Sequence, residues 1–312
     1  MKFASLDVDS RYFLSPMAGY TDKPFRFIAK KFGAGLTVSE LISVNAIYYN
    51  NKKTYKLLEK NNIETPFSIQ LFGADPDIFL YAAQKVEEFC DIIDINAGCP
   101  APKVVKTFAG SYLLKEKERL FKIIDKLKKH IKKPISVKLR KGFDKNSINS
   151  MDFYKELENR GINFIVLHPR LREQYFKGEV DYTHAGKVVD LLKIPVVING
   201  AIDSYKKVLQ VQNITGCNFF MIGQTALNKP YIFDNLIKGE DKTKGLNFTK
   251  GLMKQHFMLM VDFYKEKQAV SNFRKFFHHY TKGLRYSKVF NDRINKAQTQ
   301  AEVLNTISDI DA

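Results

Sequence analysis

Short apolar segments recur eight times in the first 223 residues, and most of them are followed by a stretch with helical periodicity. The segments cover residues 12–16, 36–41, 67–72, 91–96, 135–140, 163–168, 195–199 and 218–223. This alternation predicts an α/β fold with a parallel sheet and crossover helices. Eight such units match the usual length of a (β/α)₈ TIM barrel, about 250 residues. A doubly wound sheet is the alternative, but the even spacing of the eight units favours closure of the sheet into a barrel.

Helical periodicity marks the connecting segments. In residues 76–89, the apolar side chains Ile78, Ala82, Val86 and Phe89 fall on one face, and residues 117–131, 151–160 and 185–192 repeat this pattern.

The alternation stops after Phe233, and a polar, Gly-bounded linker follows at residues 238–245. Beyond it, residues 251–265, 269–281 and 292–310 have the spacing of helices. We therefore expect two domains, a catalytic barrel over residues 1–241 and an all-helical C-terminal domain over residues 242–312.

A cysteine stands just after the fourth predicted strand. Asn96 ends that strand, and Gly98 and Cys99 follow on a turn that contains Pro100 and Pro102. Loops at the C-terminal ends of barrel strands carry the chemistry in this fold, so Cys99 is a candidate catalytic residue. Cys90 and Cys217 lack this context, and we expect both to be small buried core residues.

Polar or glycine-rich groups end seven of the eight predicted strands. They are Pro16, Met17 and Ala18, then Gln70, Asn96, Lys138, His168, Asn199 with Gly200 and Ala201, and Gly223 with Gln224. Each of these groups, taken singly, has a structural explanation. Their convergence at one rim of the barrel predicts a ligand site. A lysine and a histidine there suit a reduced flavin, and the last two loops suit its phosphate. No zinc-type spacing, Walker loop or strand–GxGxxG–helix unit occurs, so we expect no metal and no Rossmann domain.

The chain carries 50 Lys and Arg against 33 Asp and Glu, a net charge of +17. Such a balance favours a polyanionic partner, nucleic acid first, although a lysine-rich proteome gives the same excess. A basic stretch with interleaved aromatic residues, 274–288, suits phosphate contact and base stacking, or equally a solvated helix face. Three cysteines indicate a reducing compartment, and no signal peptide or membrane span is evident.

These motifs resemble those of the tRNA-dihydrouridine synthases over almost the whole chain. The matching blocks are SPMAGYTD (15–22), PFR (24–26), residues 94–100 with Gly110 and Ser111, SVK (136–138), HPR (168–170), and Asn199-Gly200. In the tail, YTKG (280–283) is most similar to the bacterial B-type branch.

The resemblance implies reduction of the C5–C6 double bond of uridines in tRNA to 5,6-dihydrouridine. FMN would be the cofactor and NADPH, or NADH, the reductant. A hydride would reach C6 from the flavin, Cys99 would give a proton to C5, and Asn96 would hold the uracil. The expected flavin residues are Pro16, Met17, Ala18, Gln70, Lys138, His168, Asn199, Gly200, Ala201, Gly223 and Gln224. RNA would contact Arg170 and Arg172 on a loop, and Arg274 and Lys282 in the tail. We expect a cytoplasmic monomer.

Three residues depart from the family pattern. Ala97 stands where Met is frequent, Ala201 where Asp often follows Asn-Gly, and Gln224 where Arg is usual. Glutamine lacks the charged fork with which arginine grips phosphate, so we expect weaker phosphate anchoring.

Two other functions remain open at this point. One is a flavin oxidoreductase acting on a free pyrimidine, such as a dihydroorotate-type enzyme, which needs no basic tail. The other is a non-catalytic RNA-binding or chaperone protein that has lost its flavin. Salt-sensitive tRNA binding and a flavin absorbance band distinguish these functions.

Overall fold

A computed structural model describes residues 1–310 and contains eight parallel strands in one sheet. The strands are β1 (Tyr12–Leu14), β2 (Thr37–Ser43), β3 (Phe67–Phe72), β4 (Ile92–Ala97), β5 (Ile135–Gly142), β6 (Phe164–Leu171), β7 (Val196–Asn199) and β8 (Phe219–Ile222). β8 pairs with β1, and the Leu14 N–H donates to the Leu36 carbonyl at 2.9 Å, which links β1 to the start of β2. The predicted (β/α)₈ TIM barrel is confirmed, and the doubly wound alternative is wrong.

Helices connect the strands and form the C-terminal region. They are α1 (Lys23–Lys31), α2 (Val44–Tyr48), α3 (Lys52–Tyr55), α4 (Pro76–Val86), α5 (Pro102–Val105), α6 (Lys117–His130), α7 (Met151–Asn159), α8 (Tyr182–Leu191), α9 (Tyr205–Thr215), α10 (Gln224–Asn228), α11 (Ile232–Lys238), α12 (Leu246–Tyr264), α13 (Glu266–Tyr280), α14 (Ser287–Lys296) and α15 (Gln300–Ser308). Short 3₁₀ segments occur at Lys56–Leu58, Glu87–Phe89, Gly110–Leu114 and Arg172–Gln174. The four helices predicted between strands are α4, α6, α7 and α8, with ends shifted by a few residues.

An apolar floor closes the N-terminal end of the barrel. Its buried side chains are Phe3, Val8, Phe13, Leu36, Val38, Ile92, Phe164, Val166, Val197 and Met221. Phe3 comes from a short antiparallel hairpin, Lys2–Phe3 with Leu6–Asp7, and its ring lies 4.9 Å from Phe13 and 4.7 Å from Phe164. Side chains two residues further along a strand point to the same face, so the polar residues that follow this floor line the barrel above it.

The C-terminal helices pack on the barrel beside β1. The Phe276 ring of α13 lies 5.5 Å from Phe25 on α1, and the Tyr264 hydroxyl of α12 donates to the Asp22 carboxylate at 3.0 Å. The structure thus fixes this helical region against the loop that follows β1.

The prediction of a single helix over residues 292–310 is wrong. The chain leaves helical geometry at Ala297, where ψ is 134°, and α15 begins after Thr299, whose hydroxyl accepts from the Glu302 N–H at 3.3 Å. A threonine cap starts a new helix because it satisfies a free N–H there. The last two residues of the predicted domain 242–312 lie outside the described residues.

An arginine of the PFR block forms a fully buried ion pair. Arg26 and Glu64 are 1 % and 0 % exposed, and Arg26 Nε lies 2.7 Å from Glu64 Oε1. Arg26 also donates to the Thr21 carbonyl, and Glu64 accepts from Thr37 Oγ1 at 2.9 Å. This part of the resembling motif therefore has a structural role between α1 and β2.

Within the described part of the chain, no helix is both long enough and apolar enough to cross a bilayer.

Candidate active site

A row of buried polar side chains lies directly above the apolar floor. Strand register places Gln70 beside Asp94 and Asp94 beside Ser136. The Asp94 carboxylate accepts from Gln70 Nε2 at 2.5 Å and from Ser136 Oγ at 2.6 Å. Gln70 Oε1 in turn accepts from Asn96 Nδ2 at 2.7 Å. These contacts join three strands across the barrel interior.

The loop that carries Cys99 is tied to the end of β4. Asn96 Oδ1 accepts the backbone N–H groups of Gly98 and Cys99 at 3.2 and 2.9 Å. Gly110 packs against the same turn: its φ is +62°, and a Cβ there would lie 3.1 Å from the Cys99 Cβ. The position of the Cys99 backbone is thus set by hydrogen bonds and by close packing.

Cys99 is the only one of the three cysteines that is partly exposed. Cys90 and Cys217 are each 2 % exposed, which confirms their prediction as core residues. Burial raises the pKa of the Cys99 thiol, and the nearby charges of Arg140 and Lys138 offset this only in part. The thiol is therefore neutral at neutral pH.

A half-buried cation and a buried, neutral imidazole lie on β5 and β6. Lys138 Nζ donates to Asn199 Oδ1 at 2.8 Å, and Asn199 Nδ2 donates to the Met221 carbonyl at 2.8 Å. Burial lowers the pKa of Lys138 to about 8, so most of it is charged at pH 7. Burial and then the charges of Arg140 and Lys138 hold the pKa of His168 well below its usual value. The site therefore combines a positive charge with an uncharged ring.

Two glycines lie at neighbouring strand ends of the same rim. Gly200 has a φ of +126°, and a Cβ on it would lie 2.7 Å from His168 Cδ2. A Cβ on Gly223 would lie 3.7 Å from the Met17 sulfur.

The remaining expected flavin residues lie on the same rim, since β7, β8 and β1 are adjacent in the sheet. Pro16 and Met17 are half-buried, whereas Ala18, Ala201 and Gln224 are exposed.

An arginine cluster occupies the β5–β6 side of the mouth. Arg140 is 2 % exposed and donates to the carbonyls of Gly98 and Leu171 at 3.1 and 2.8 Å.

Arg170 donates to the Gly178 carbonyl at 2.9 Å. The expectation that Arg170 lies on a loop is wrong, because pairing with β5 extends β6 to Leu171. Arg172 follows in a 3₁₀ turn, with its guanidinium 5.0 Å from the Phe143 ring centroid.

The expected RNA-binding residues of the tail have different surroundings. Arg274 is half-buried and donates to the Ala297 carbonyl at 2.8 Å, so part of its guanidinium is engaged in a hydrogen bond within the C-terminal helices. Lys282 is exposed between α13 and α14. Lys275 reaches the barrel, where its Nζ lies 5.3 Å from the Tyr20 ring centroid.

Among residues 1–310, no three His, Cys, Asp or Glu side chains converge as metal ligands would.

Comparison with known proteins identifies the family. A family model described as dihydrouridine synthase (Dus) matches residues 13–312. The chain belongs to the dihydrouridine synthase family. It is 38% identical over 287 residues to a probable tRNA-dihydrouridine synthase of Helicobacter pylori, covering 91% of this chain and 86% of that protein. It is 34% identical over 310 residues to tRNA-dihydrouridine synthase B of Pasteurella multocida, covering 97% of this chain and 93% of the relative.

The fold is shared with a more distant enzyme. Morphinone reductase superposes with a TM-score of 0.58 at 11% identity, covering 78% of this chain and 90% of that chain. At this identity the likeness supports the barrel fold alone.

Sequence reasoning gave no site role to two residues of this dihydrouridine synthase family member. Asp94 accepts from Gln70, which accepts from Asn96, and Arg140 donates to the Gly98 carbonyl in the Cys99 turn. Period-two alternation from Asn96 and Lys138 was the signal that could have placed them inside the barrel.

Asp94 also predicts a pH-dependent stability. Burial raises the pKa of this carboxyl from 3.8 to about 6, although Ser136, Gln70 and Lys138 favour its charged form. Because the pKa of Asp94 is higher in the folded state than in the unfolded state, the parent loses stability as the pH rises from the unfolded-state pKa through the folded-state pKa. Asp94→Asn is therefore expected to raise the free energy of unfolding by about 1–3 kcal/mol near neutral pH.

Denaturant unfolding at a series of pH values measures this effect. The difference between Asp94→Asn and the parent should shrink as the pH falls below about 4, where the carboxyl is protonated in both states. Asp7→Asn is the control of opposite sign, since the Lys2 hydrogen bond and charge lower the pKa of the exposed Asp7. A difference for Asp94→Asn that does not change with pH would contradict the prediction.

Proposed function

We propose that this protein is a tRNA-dihydrouridine synthase that reduces the C5–C6 double bond of uridines in tRNA, with FMN as cofactor and NADPH as reductant. The observation that carries the proposal is the neutral thiol of Cys99, whose backbone N–H is bound to Asn96 at the mouth of the barrel. The names of the curated relatives and the match to the family support the same reaction.

The residues present suit an FMN. Gly200 packs so closely on His168 that a Cβ there would collide with the imidazole, which keeps the backbone of this strand end bare, and Lys138 offers a cation for an anionic ring. We propose that Gly200, Gly223 and Lys138 hold the flavin together with Gln70, His168 and the other rim residues, which are Pro16, Met17, Ala18, Asn199, Ala201 and Gln224. The chemistry that FMN supplies when bound is transfer of a hydride to C6 of the uracil, with electrons that come from NADPH.

The chain itself binds the base and moves the proton. Asn96 holds the uracil, and the Cys99 thiol gives its proton to C5. Arg140 and Lys138 favour the thiolate that remains, because both lower the pKa of Cys99. That thiolate then recovers a proton from water. The base must leave its stack to reach this site, and a positively charged mouth favours such a flipped nucleotide.

RNA contact is assigned to both parts of the chain. We propose that residues 1–241 form the catalytic domain and residues 242–312 the tRNA-binding domain, in a monomeric cytoplasmic enzyme. Arg170 and Arg172 would contact the RNA at the mouth, and Arg274 and Lys282 in the tail. The net charge of +17 favours a polyanion over a free pyrimidine.

Activity on purified RNA tests the proposal. The full chain, checked for a flavin absorbance band, is incubated with NADPH and an unmodified tRNA transcript, and RNA digests are analysed by mass spectrometry. We expect uridines that have gained two hydrogens. Turnover of free uracil or orotate without turnover of tRNA would favour the dihydroorotate-type alternative. Tight tRNA binding without flavin would favour the non-catalytic one.

The tail charges predict a specific salt dependence. Lys282→Ala with Arg285→Ala removes two exposed cations, and each lost phosphate contact should reduce the slope of log K against log salt by about 1. The matched control is Lys129→Ala with Lys132→Ala, which removes two exposed cations just before β5, at the end of the barrel away from the mouth. Filter binding over a salt series measures both. Equal slopes for the two double variants would contradict the placement of RNA on the tail.

A further inference from the structure

The orientation of the Asn96 amide is fixed by the backbone. Gly98 and Cys99 present N–H groups, which can only donate, and one oxygen, Asn96 Oδ1, accepts both. Reversing this amide would place its NH₂ against two other donors. Its nitrogen must therefore face Gln70 Oε1, at 2.7 Å.

The Asn96 amide in turn fixes the orientation of the Gln70 amide toward Asp94. Because Gln70 Oε1 accepts from Asn96, Gln70 Nε2 must be the atom that faces Asp94, at 2.5 Å. The group at position 94 must then accept, which a carboxylate does. Gln70 is 0 % and Asp94 is 3 % exposed, so water does not readily replace either partner. One polar chain, with a single direction, thus joins Asp94 to the Cys99 turn.

We propose that Asp94 is a positioning residue that acts through Gln70 to hold Asn96 and the Cys99 turn in the arrangement the reaction needs. Asp94 touches neither substrate nor cofactor in this proposal. The other side of its carboxylate is held by Ser136, which lies outside the path to Cys99.

The chain also limits what Asn96 offers to a base. Its oxygen already accepts two N–H groups, whereas its NH₂ uses one hydrogen on Gln70 and retains the other. Asn96 is therefore a donor toward the substrate, and it binds a carbonyl oxygen of the ring rather than a ring N–H. This consequence rests on the proposed function, since it takes uracil as the substrate.

Alkylation of Cys99 tests the positioning role without turnover. Cys90 and Cys217 are buried, so iodoacetamide reports on Cys99 in the folded full chain. Asp94→Leu leaves Gln70 Nε2 without an acceptor, and we expect alkylation at least about fivefold faster as the turn loosens. Asp94→Asn retains an acceptor oxygen, so it should restore the alkylation rate to within about twofold of the parent. Ser136→Ala is the matched control and should leave the rate unchanged.

Rates are measured with and without added FMN, and melting temperatures confirm folding. If Asp94→Leu does not fold, Gln70→Met cuts the same chain at its middle and should also accelerate alkylation. Parent-like rates in both Asp94→Leu and Gln70→Met would overturn the proposal. So would equal acceleration in Ser136→Ala, or an Asp94→Asn rate that matches Asp94→Leu. Because the readout needs neither RNA nor turnover, an inactive protein would refute the proposed function and leave this inference standing.

Discussion

Replacing Cys99 with alanine is expected to lower the rate of uridine reduction in tRNA by about 10²–10⁴-fold, the range that a positioned general acid supplies. The Cys99 thiol is the proton donor of the proposed mechanism, its pKa is raised by burial, and alanine has no proton to give. Single-turnover formation of dihydrouridine, measured by mass spectrometry, isolates this step from tRNA binding.

Controls separate chemistry from structure. Cys90→Ala removes a thiol that is 2 % exposed and distant from the rim, so it should leave the rate unchanged. Flavin absorbance and tRNA affinity of Cys99→Ala should match the parent, because Cys99 is not assigned to either. A rate for Cys99→Ala equal to that of the parent would show that another group protonates C5.

Replacing Arg26 with methionine is expected to lower the free energy of unfolding by about 3–5 kcal/mol, the usual cost of breaking a buried pair on one side. Glu64 would remain as a carboxylate that is 0 % exposed, with only Thr37 and Asn61 as donors. Denaturant unfolding followed by circular dichroism measures the loss.

The exposed pair Lys2–Asp7, with side chains 75% and 77% exposed, supplies the comparison. Lys2→Met should change the free energy of unfolding far less than Arg26→Met does, since water already screens that pair. An Arg26→Met loss as small as the Lys2→Met change would mean that water reaches Glu64 after the substitution.

Much of the fold could be predicted because local patterns carry it. Apolar strands with period-two alternation and helices with a 3.6-residue period appear directly in the sequence, and eight repeats imply closure. The errors lie where contacts between residues distant in sequence decide the ends of the elements. Pairing with β5 extends β6 past Arg170. The Ala297 carbonyl, which accepts from Arg274, lies at a helix end.

Sequence reasoning singled out Cys99, Asn96, Gln70 and Lys138 because each stands at or near a strand end. It treated Arg26 and Asp94 only as parts of motifs. No local pattern shows that Arg26 faces Glu64, a contact that spans 38 residues, or that Asp94 contacts Gln70 across two strands.

The sequence by itself determined a barrel, the strand ends that converge on its rim and the thiol among them, because these depend on short-range periodicity. Only the tertiary structure decided the protonation state of the Cys99 thiol and the direction of the hydrogen bonds in the site. Burial raises the pKa of Cys99, and strand register sets the order of donors and acceptors from Asp94 to the Cys99 turn. Both effects arise from neighbours that are distant in the chain, since desolvation and hydrogen-bond direction exist only once the strands have been brought together.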